Sequence, residues 1–194
     1  SRTGACGGPL APSRLHGVPF VTAADHDTAC AVSALLPLDV GDLFLCAGTW
    51  ALLGCATAPP RFADPLRAGD WFRLGLPHGN WAVAKGAPGF WVLEECRKSC
   101  ERRGSLQAIE ELVAAAERSG CRAALDLSDP SLFAPTDMCE ALAAACEQTG
   151  ATRPGSPGDF ARVIFDGMAA GFQREVEELS TATGVRFTRI RLVG

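Results

Sequence analysis

The sequence contains no apolar run approaching the roughly 20 residues that a membrane-spanning helix requires, which excludes a helical span and makes a membrane an unexpected partner. Its first residues, Ser1-Arg-Thr-Gly-Ala-Cys-Gly-Gly-Pro9, lack the hydrophobic stretch of a secretory signal, so a cytoplasmic location is expected. The 18 lysines and arginines are scattered, the formal charge is −4, and no basic stripe forms, which argues against nucleic acid. Histidine is scarce, with His16, His26 and His78 showing no zinc-ligand spacing to any cysteine pair, so no metal site is expected. Internal repeats and low-complexity tracts are also missing.

What is present is an ordinary globular composition: 194 residues, 47% hydrophobic and 21% charged, enough for one large domain or one and a half with a proper core. Nine cysteines form an odd set. Cys30, Cys46, Cys55, Cys121, Cys139 and Cys146 fall within apolar or helical patterns, where a thiol acts as a small hydrophobe; Cys96 and Cys100 sit at helical spacing. The first six are read as reduced core residues.

Two blocks carry the candidate chemistry. Residues 18–21 are apolar, the chain turns polar at Thr22, Asp25, His26, Asp27 and Thr28, and an alanine-rich helical pattern follows. This reads as strand, turn, helix, and it places those polar side chains at the mouth of a sheet, where α/β proteins bind ligands. The second block has Leu43, Phe44 and Leu45 as a strand, a break at Gly48-Thr49, and resumption at Trp50, Leu52 and Leu53. Glycine there permits close backbone approach, and a hydroxyl beside a backbone N–H is one way to cradle a phosphate. Taken singly, Asp27 reads as a helix cap, His26 as a hydrogen-bonded structural residue and Gly48-Thr49 as a bulge.

Elsewhere, residues 1–17 read as a loop and residues 57–79 as a long irregular connection. Residues 81–85 read as a short strand, and Pro88 fits the first turn of a helix carrying Phe90, Leu93 and Cys96. Ser105 is the expected cap of a helix with Leu106, Ile109, Leu112 and Val113 on one face. A strand is expected near residues 123–127, and Thr136 is the expected cap of a helix with Met138, Leu142 and Cys146 inward. Ser156-Pro-Gly-Asp159 opens the longest helix, and residues 187–193 alternate as a strand. Strands with helices between them indicate an α/β domain. The four tryptophans read as core or cleft-wall aromatics, and His78 and Asn80 as turn residues.

Taken together, Asp25-His26-Asp27-Thr28-Ala29, Gly48-Thr49-Trp50, Gly89-Phe-Trp-Val-Leu-Glu-Glu-Cys96, Phe133-Ala-Pro-Thr-Asp-Met138 and the terminal Leu-Val-Gly resemble the FGGY carbohydrate kinases, and among these the rhamnulokinases. The resemblance runs from about residue 9 to residue 194. It implies the actin-like, ribonuclease-H-type ATPase fold, with residues 1–194 forming the C-terminal domain of a two-domain sugar kinase, cut where the adenosine motif continues and lacking its N-terminal partner domain. The implied function is ATP-dependent transfer of a phosphoryl group to a sugar hydroxyl, with ATP and Mg2+ as cofactors and L-rhamnulose or a related ketose as substrate. Asp27 is implied as the catalytic base and a sugar ligand, His26 as a sugar ligand, Gly48 and Thr49 as phosphate neighbours, and Gly86, Glu94 and Gly194 as nucleotide neighbours. Two positions depart from the family pattern: Gly86 where relatives often carry Asn, and Glu94 where they carry Gln. The stretch around residues 63–80 departs as well, which leaves the sugar open. The alternative is a non-catalytic nucleotide-binding or structural module that keeps the fold. On either reading the chain by itself is expected to turn over no sugar.

Overall fold

A computed structural model describes residues 9–15, 18–21, 27–58, 70–105 and 107–194. Strands β1 (Pro9–Leu15) and β2 (Val18–Val21) pair antiparallel in a two-stranded sheet of their own, with Leu15 opposite Val18 and Pro9 opposite Val21. The expectation of a structureless start is thus corrected. Proline, which cannot donate to a ladder, is tolerated in so short a sheet because every strand in it is an edge. For the same reason β2 does not lead into the main sheet as its apolar run suggested; His26 and Asp25 lie outside the described residues.

The chain divides into two compact units: residues 1–47, 52–86 and 177–194 form one, and residues 48–51 and 87–176 the other. The first holds most of a five-stranded sheet ordered β5 (Trp71–Gly75), β6 (Trp81–Pro88), β4 (Trp50–Thr57), β3 (Asp42–Ala47) and β7 (Arg189–Val193). Strands β3 and β7 run parallel, with Cys46 beside Val193, whereas β5 and β6 run antiparallel. Helix α1 (Asp27–Ser33) turns Ala29 and Val32 into a core with Phe44, Leu74, Leu76, Ala82 and Ala84. Inside it Gly54 is obligatory, because a methyl group there would collide with the Val83 carbonyl and come within 2.5 Å of the Phe44 ring.

Strand β5 corrects the reading of residues 57–79 as irregular. Trp71 and Leu74, three residues apart and therefore on opposite faces, are both buried while Phe72 is exposed, so no period-2 pattern marks this strand in the sequence. Trp71 Nε1 donates to Glu178 at 2.8 Å, and Lys85 reaches the same carboxylate at 2.8 Å. His78 sits in a tight turn at φ 60, and the Asn80 side chain donates to the Pro77 carbonyl, so both are turn residues as expected. Strand β7 also departs from expectation, since Ile190 and Leu192 are both exposed and the strand is fixed by charge instead. Arg189 donates to Asp42, a carboxylate only 3% exposed, at 2.6 and 2.9 Å. That guanidinium holds the Asp42 carboxyl below its ordinary range against the opposing effect of burial.

The second unit is helical: α2 (Trp91–Arg102), α3 (Ile109–Arg118), α4 (Met138–Gln148) and the first part of α5 (Pro157–Thr183). Leu93, Leu112, Leu125, Leu142, Phe160 and Ile164 fill its core, with Cys96, Cys100, Cys139 and Cys146 among them. Three boundaries differ from the sequence reading. Pro88 ends β6 and α2 starts at Trp91; α3 is capped at Ala108, not Ser105; and α4 is capped by Asp137, whose side chain accepts the Glu140 N–H at 3.1 Å, not by Thr136. Residues 121–126 bury Cys121, Ala123 and Leu125 in alternation without joining a ladder, so side-chain periodicity there reports packing and not a strand. Cys30 is exposed, unlike the core role expected of it.

Candidate functional site

Strands β3 and β4 are joined by Gly48-Thr49, and this turn is clamped to the start of α2. Phe90 N–H donates to the Gly48 carbonyl at 3.1 Å, and Trp91 N–H to the Thr49 carbonyl at 3.0 Å. The clamp depends on Gly89, where a methyl group would lie 2.7 Å from Ala51 N and from both the Gly48 and Thr49 carbonyls. Gly48 itself tolerates a side chain, with only the Trp50 carbonyl at 3.5 Å, and its N–H is taken up by that carbonyl at 3.2 Å. That space is compatible with the approach to a ligand which the sequence suggests at Gly48, whereas Gly89 is required by the protein's own packing. Thr49, exposed beside it, presents the hydroxyl.

Below the turn lies a cavity of about 560 Å³, a size ordinary for a small-molecule ligand, within the helical unit. Thr49 and Glu94 both line it, so two sequence-predicted residues distant in the chain share one wall. Arg97 donates to Glu94 at 2.9 and 2.8 Å, and this bonding holds the Glu94 carboxyl below its ordinary range. Glu94 is thus a carboxylate at neutral pH, oriented along one side of the cavity. Lys98, paired with Glu95 at 2.8 Å, supplies a cation at the rim.

Phe90, Trp91 and Phe165 supply aromatic walls, and Ile109 and Val113 of α3 supply an aliphatic one. Both α3 residues are more than a third exposed, so the face expected to be buried scaffold is in part a cavity lining. Trp91 stacks at a tilt on Trp50 and Phe133, with ring centroids 5.7 and 6.0 Å away. Its indole Nε1 is buried and finds no acceptor among the described residues. A buried donor without a partner is costly, and this one is enclosed by protein and does not open onto the cavity. Sequence reasoning read Trp91 as a core or cleft-wall aromatic and gave Gly89 no site role; the run Pro88-Gly89-Phe90-Trp91, where a strand must turn into a helix, was the available signal.

The remaining predicted residues lie in the sheet unit. Asp27 opens α1, is exposed, and accepts the Thr28 backbone N–H at 2.7 Å. Its charge reaches Cys46 near the end of β3, where burial and then Asp27 raise the thiol above its ordinary range. Gly194 follows β7 at φ 153, and a methyl group there would collide with the Ala47 carbonyl. Asp27 and Gly194 thereby both belong to the carboxyl end of the parallel β3–β7 pair, where open α/β sheets bind ligands. Gly86 lies in β6, where an added methyl group would meet nothing within 4 Å, and it does not line the cavity. His26 lies outside the described residues.

Residues 43–194 match the FGGY family of carbohydrate kinases, C-terminal domain. A rhamnulokinase of Enterobacter sp. (strain 638) is 30% identical over 178 residues, which cover 91% of this chain and 36% of that protein. A rhamnulokinase of Yersinia pestis (strain Pestoides F) is 29% identical over 177 residues, covering 91% and 36%. The chain therefore spans about a third of the length of these curated relatives. Among solved structures, a xylulose kinase from Rhodospirillum rubrum is similar with TM-score 0.58 and 20% identity over 91% of this chain and 34% of that one. A xyloylose kinase from Brucella ovis gives TM-score 0.60 and 15% identity over the same shares, 91% and 34%. At such identities the likeness is one of fold, and the fold is the α/β actin-like ATPase fold that the motifs implied.

Proposed function

The chain belongs to the FGGY family of carbohydrate kinases, as its C-terminal domain, and from that membership we propose that it serves an enzyme which transfers the γ-phosphoryl group of ATP to a hydroxyl of L-rhamnulose or a related ketose. The observation that carries this reading is the cavity shared by Thr49 and Glu94 under the turn clamped by Gly89. Its volume and its aromatic and aliphatic walls suit a nucleoside. The sugar is suggested by the rhamnulokinases among the relatives.

In this reading Asp27 accepts the proton of the sugar hydroxyl as its oxygen attacks the γ-phosphorus and the bond to the departing ADP breaks. An exposed aspartate at the carboxyl end of a parallel strand pair has the access that such a base needs. His26 contacts the sugar, Gly48 and Thr49 the phosphates, and Glu94, Gly86 and Gly194 the nucleotide. Phosphoryl transfer is largely positioning and charge stabilisation, so residues that do no covalent chemistry still govern the rate.

Mg2+ is a hard cation that prefers oxygen ligands, whereas the one cluster of three metal-ligating side chains among the described residues is made of thiols. The thiols do not suit Mg2+, which when bound with ATP would supply charge neutralisation on the transferred phosphoryl group. Because the chain spans about a third of its relatives' length, residues 1–194 act as one C-terminal domain paired with an N-terminal domain that supplies the other wall of the cleft, and the chain alone is inactive.

The test is ADP release by the full-length protein with ATP and Mg2+ across a panel of ketoses that includes L-rhamnulose. One ketose should stimulate release, and Asp27→Asn should lower kcat by about 10²–10⁴-fold with unchanged circular dichroism. No stimulation by any ketose, or an undiminished rate in the variant, would refute the assignment.

A further inference from the structure

The helical unit holds a second cluster of chemically capable side chains that the kinase reading does not use. Cys96 and Cys100 lie one turn apart on α2, and Cys139, 39 residues beyond Cys100, is the second residue of α4. The Cys139 sulfur is 3.4 Å from that of Cys96 and 3.5 Å from that of Cys100, and all three sulfurs fall within 4.8 Å of one another. The three residues are buried, at 3%, 8% and 0% exposure.

Core cysteines usually act as small hydrophobes and scatter as such, which is how Cys146 behaves here. Convergence of three sulfurs on one point is a different arrangement. Sulfurs bound to one tetrahedral zinc at about 2.3 Å stand about 3.8 Å apart. The two shorter separations lie just inside that value, so a cation could seat itself with sub-ångström side-chain shifts and no change in the helices.

Cys96 and Cys100 also line a small cavity of about 10 Å³, enough for roughly one water. Gln107 lines the same cavity, and its Oε1 is buried without a donor among the described residues. Arg97 and Ser105 line this void as well, and the unpaired Gln107 acceptor offers a hydrogen bond to a water held beside the two thiols. A metal-bound water in this void would complete a fourth coordination position and donate to Gln107.

We propose that Cys96, Cys100 and Cys139 form a structural site for one thiophilic d10 cation of the Zn2+ class, with a water held by Gln107 as fourth ligand. Three thiolates on a divalent cation leave one net negative charge. Cys139 sits in the first turn of α4, whose N–H groups favour negative charge. The Cys96 and Cys139 sulfurs already share a hydrogen bond, and metal binding would release the thiol protons to solvent. The site joins α2 to α4 far from Asp27 in sequence, and its role is to fix the helical unit that carries the cavity wall.

The experiment uses the whole chain, purified anaerobically with reduced thiols and titrated with Cd2+ as a spectroscopic substitute. A sulfur-to-cadmium charge-transfer band should saturate at one equivalent. It should be lost in Cys139→Ser and kept in Cys146→Ser, whose thiol is equally buried but outside the cluster. X-ray absorption on the zinc- or cadmium-loaded unsubstituted chain should count three sulfurs and one lighter atom. This count decides the matter if Cys139→Ser fails to fold. A band that does not saturate at one equivalent, a band retained in Cys139→Ser, a lower sulfur count, or recovery of the three cysteines only as a disulfide would overturn the proposal.

Discussion

The sheet unit and the helical unit stabilise themselves by different means. The sheet unit places a charge at its interior: Asp42 is almost fully enclosed, and Arg189 from the neighbouring parallel strand answers it with two hydrogen bonds. That pairing fixes β7 although its Ile190 and Leu192 are exposed. The helical unit is held by apolar packing and by soft groups, with Ser99 accepting from Met138 N–H at 3.2 Å and a cluster of thiols between α2 and α4. Removing one partner of an enclosed ion pair leaves an uncompensated charge, whereas a thiol core loses little more than contact area. The first arrangement depends on pH, and the second on what the sulfurs bind.

The largest test of this contrast is a pair of identical substitutions. Gly54→Ala forces a methyl group into the Val83 carbonyl and the Phe44 ring of the sheet unit and should cost about 3 kcal/mol, lowering Tm by roughly 10 °C. Gly89→Ala meets three backbone atoms at 2.7 Å at the edge of the helical unit. It should cost about 1–2 kcal/mol and also abolish nucleotide binding to the full-length protein, because the clamped turn forms the cavity roof. Differential scanning calorimetry with and without ATP separates the two. Equal loss of nucleotide affinity in both variants would show that the two units do not divide their work as described.

A smaller effect concerns pH. The Asp42 carboxyl is held below the ordinary value of 3.8 in the folded chain, so its contribution to stability is complete above that value and disappears as pH falls through the lower folded value. Urea titrations in steps below pH 4 should therefore show a steep loss of stability. Asp42→Asn, which removes the titrating group, should be less stable at neutral pH and should flatten this acid dependence. An unchanged slope would mean that other carboxylates govern it.

The smallest effect on stability belongs to Glu94→Gln. The Glu94–Arg97 pair is partly exposed, and such pairs contribute little, so Tm should stay within about 2 °C. Nucleotide affinity should nonetheless change several-fold, since Glu94 presents its carboxylate to the cavity. A large fall in Tm with unaltered affinity would make Glu94 a structural residue only.

The strands beginning near residues 42 and 50, the long helix from Pro157 and the helix from Met138 were legible because apolar period and turn residues agree there. β1 and β5 were not, since β1 contains two prolines, β5 ends in glycine, and each is fixed by pairing with a partner strand. At the candidate site the motifs name Thr49 and Glu94 without showing that both line one cavity, and they do not distinguish Gly89 from Gly48. Both stand beside a turn, and only the folded backbone shows which of them has three atoms at 2.7 Å.

By itself the sequence determined the α/β class, the helix and strand periods, the family and the residue types at its motif positions, because these depend on local propensity and on spacing along the chain. Tertiary structure decided which of those residues meet. It seated Thr49 and Glu94 on one cavity, left Ile109 and Val113 as lining, left the Trp91 N–H unanswered, and drew Cys139 to Cys96 and Cys100. Such meetings depend on how helices cross and how a turn is clamped, and chain spacing encodes neither.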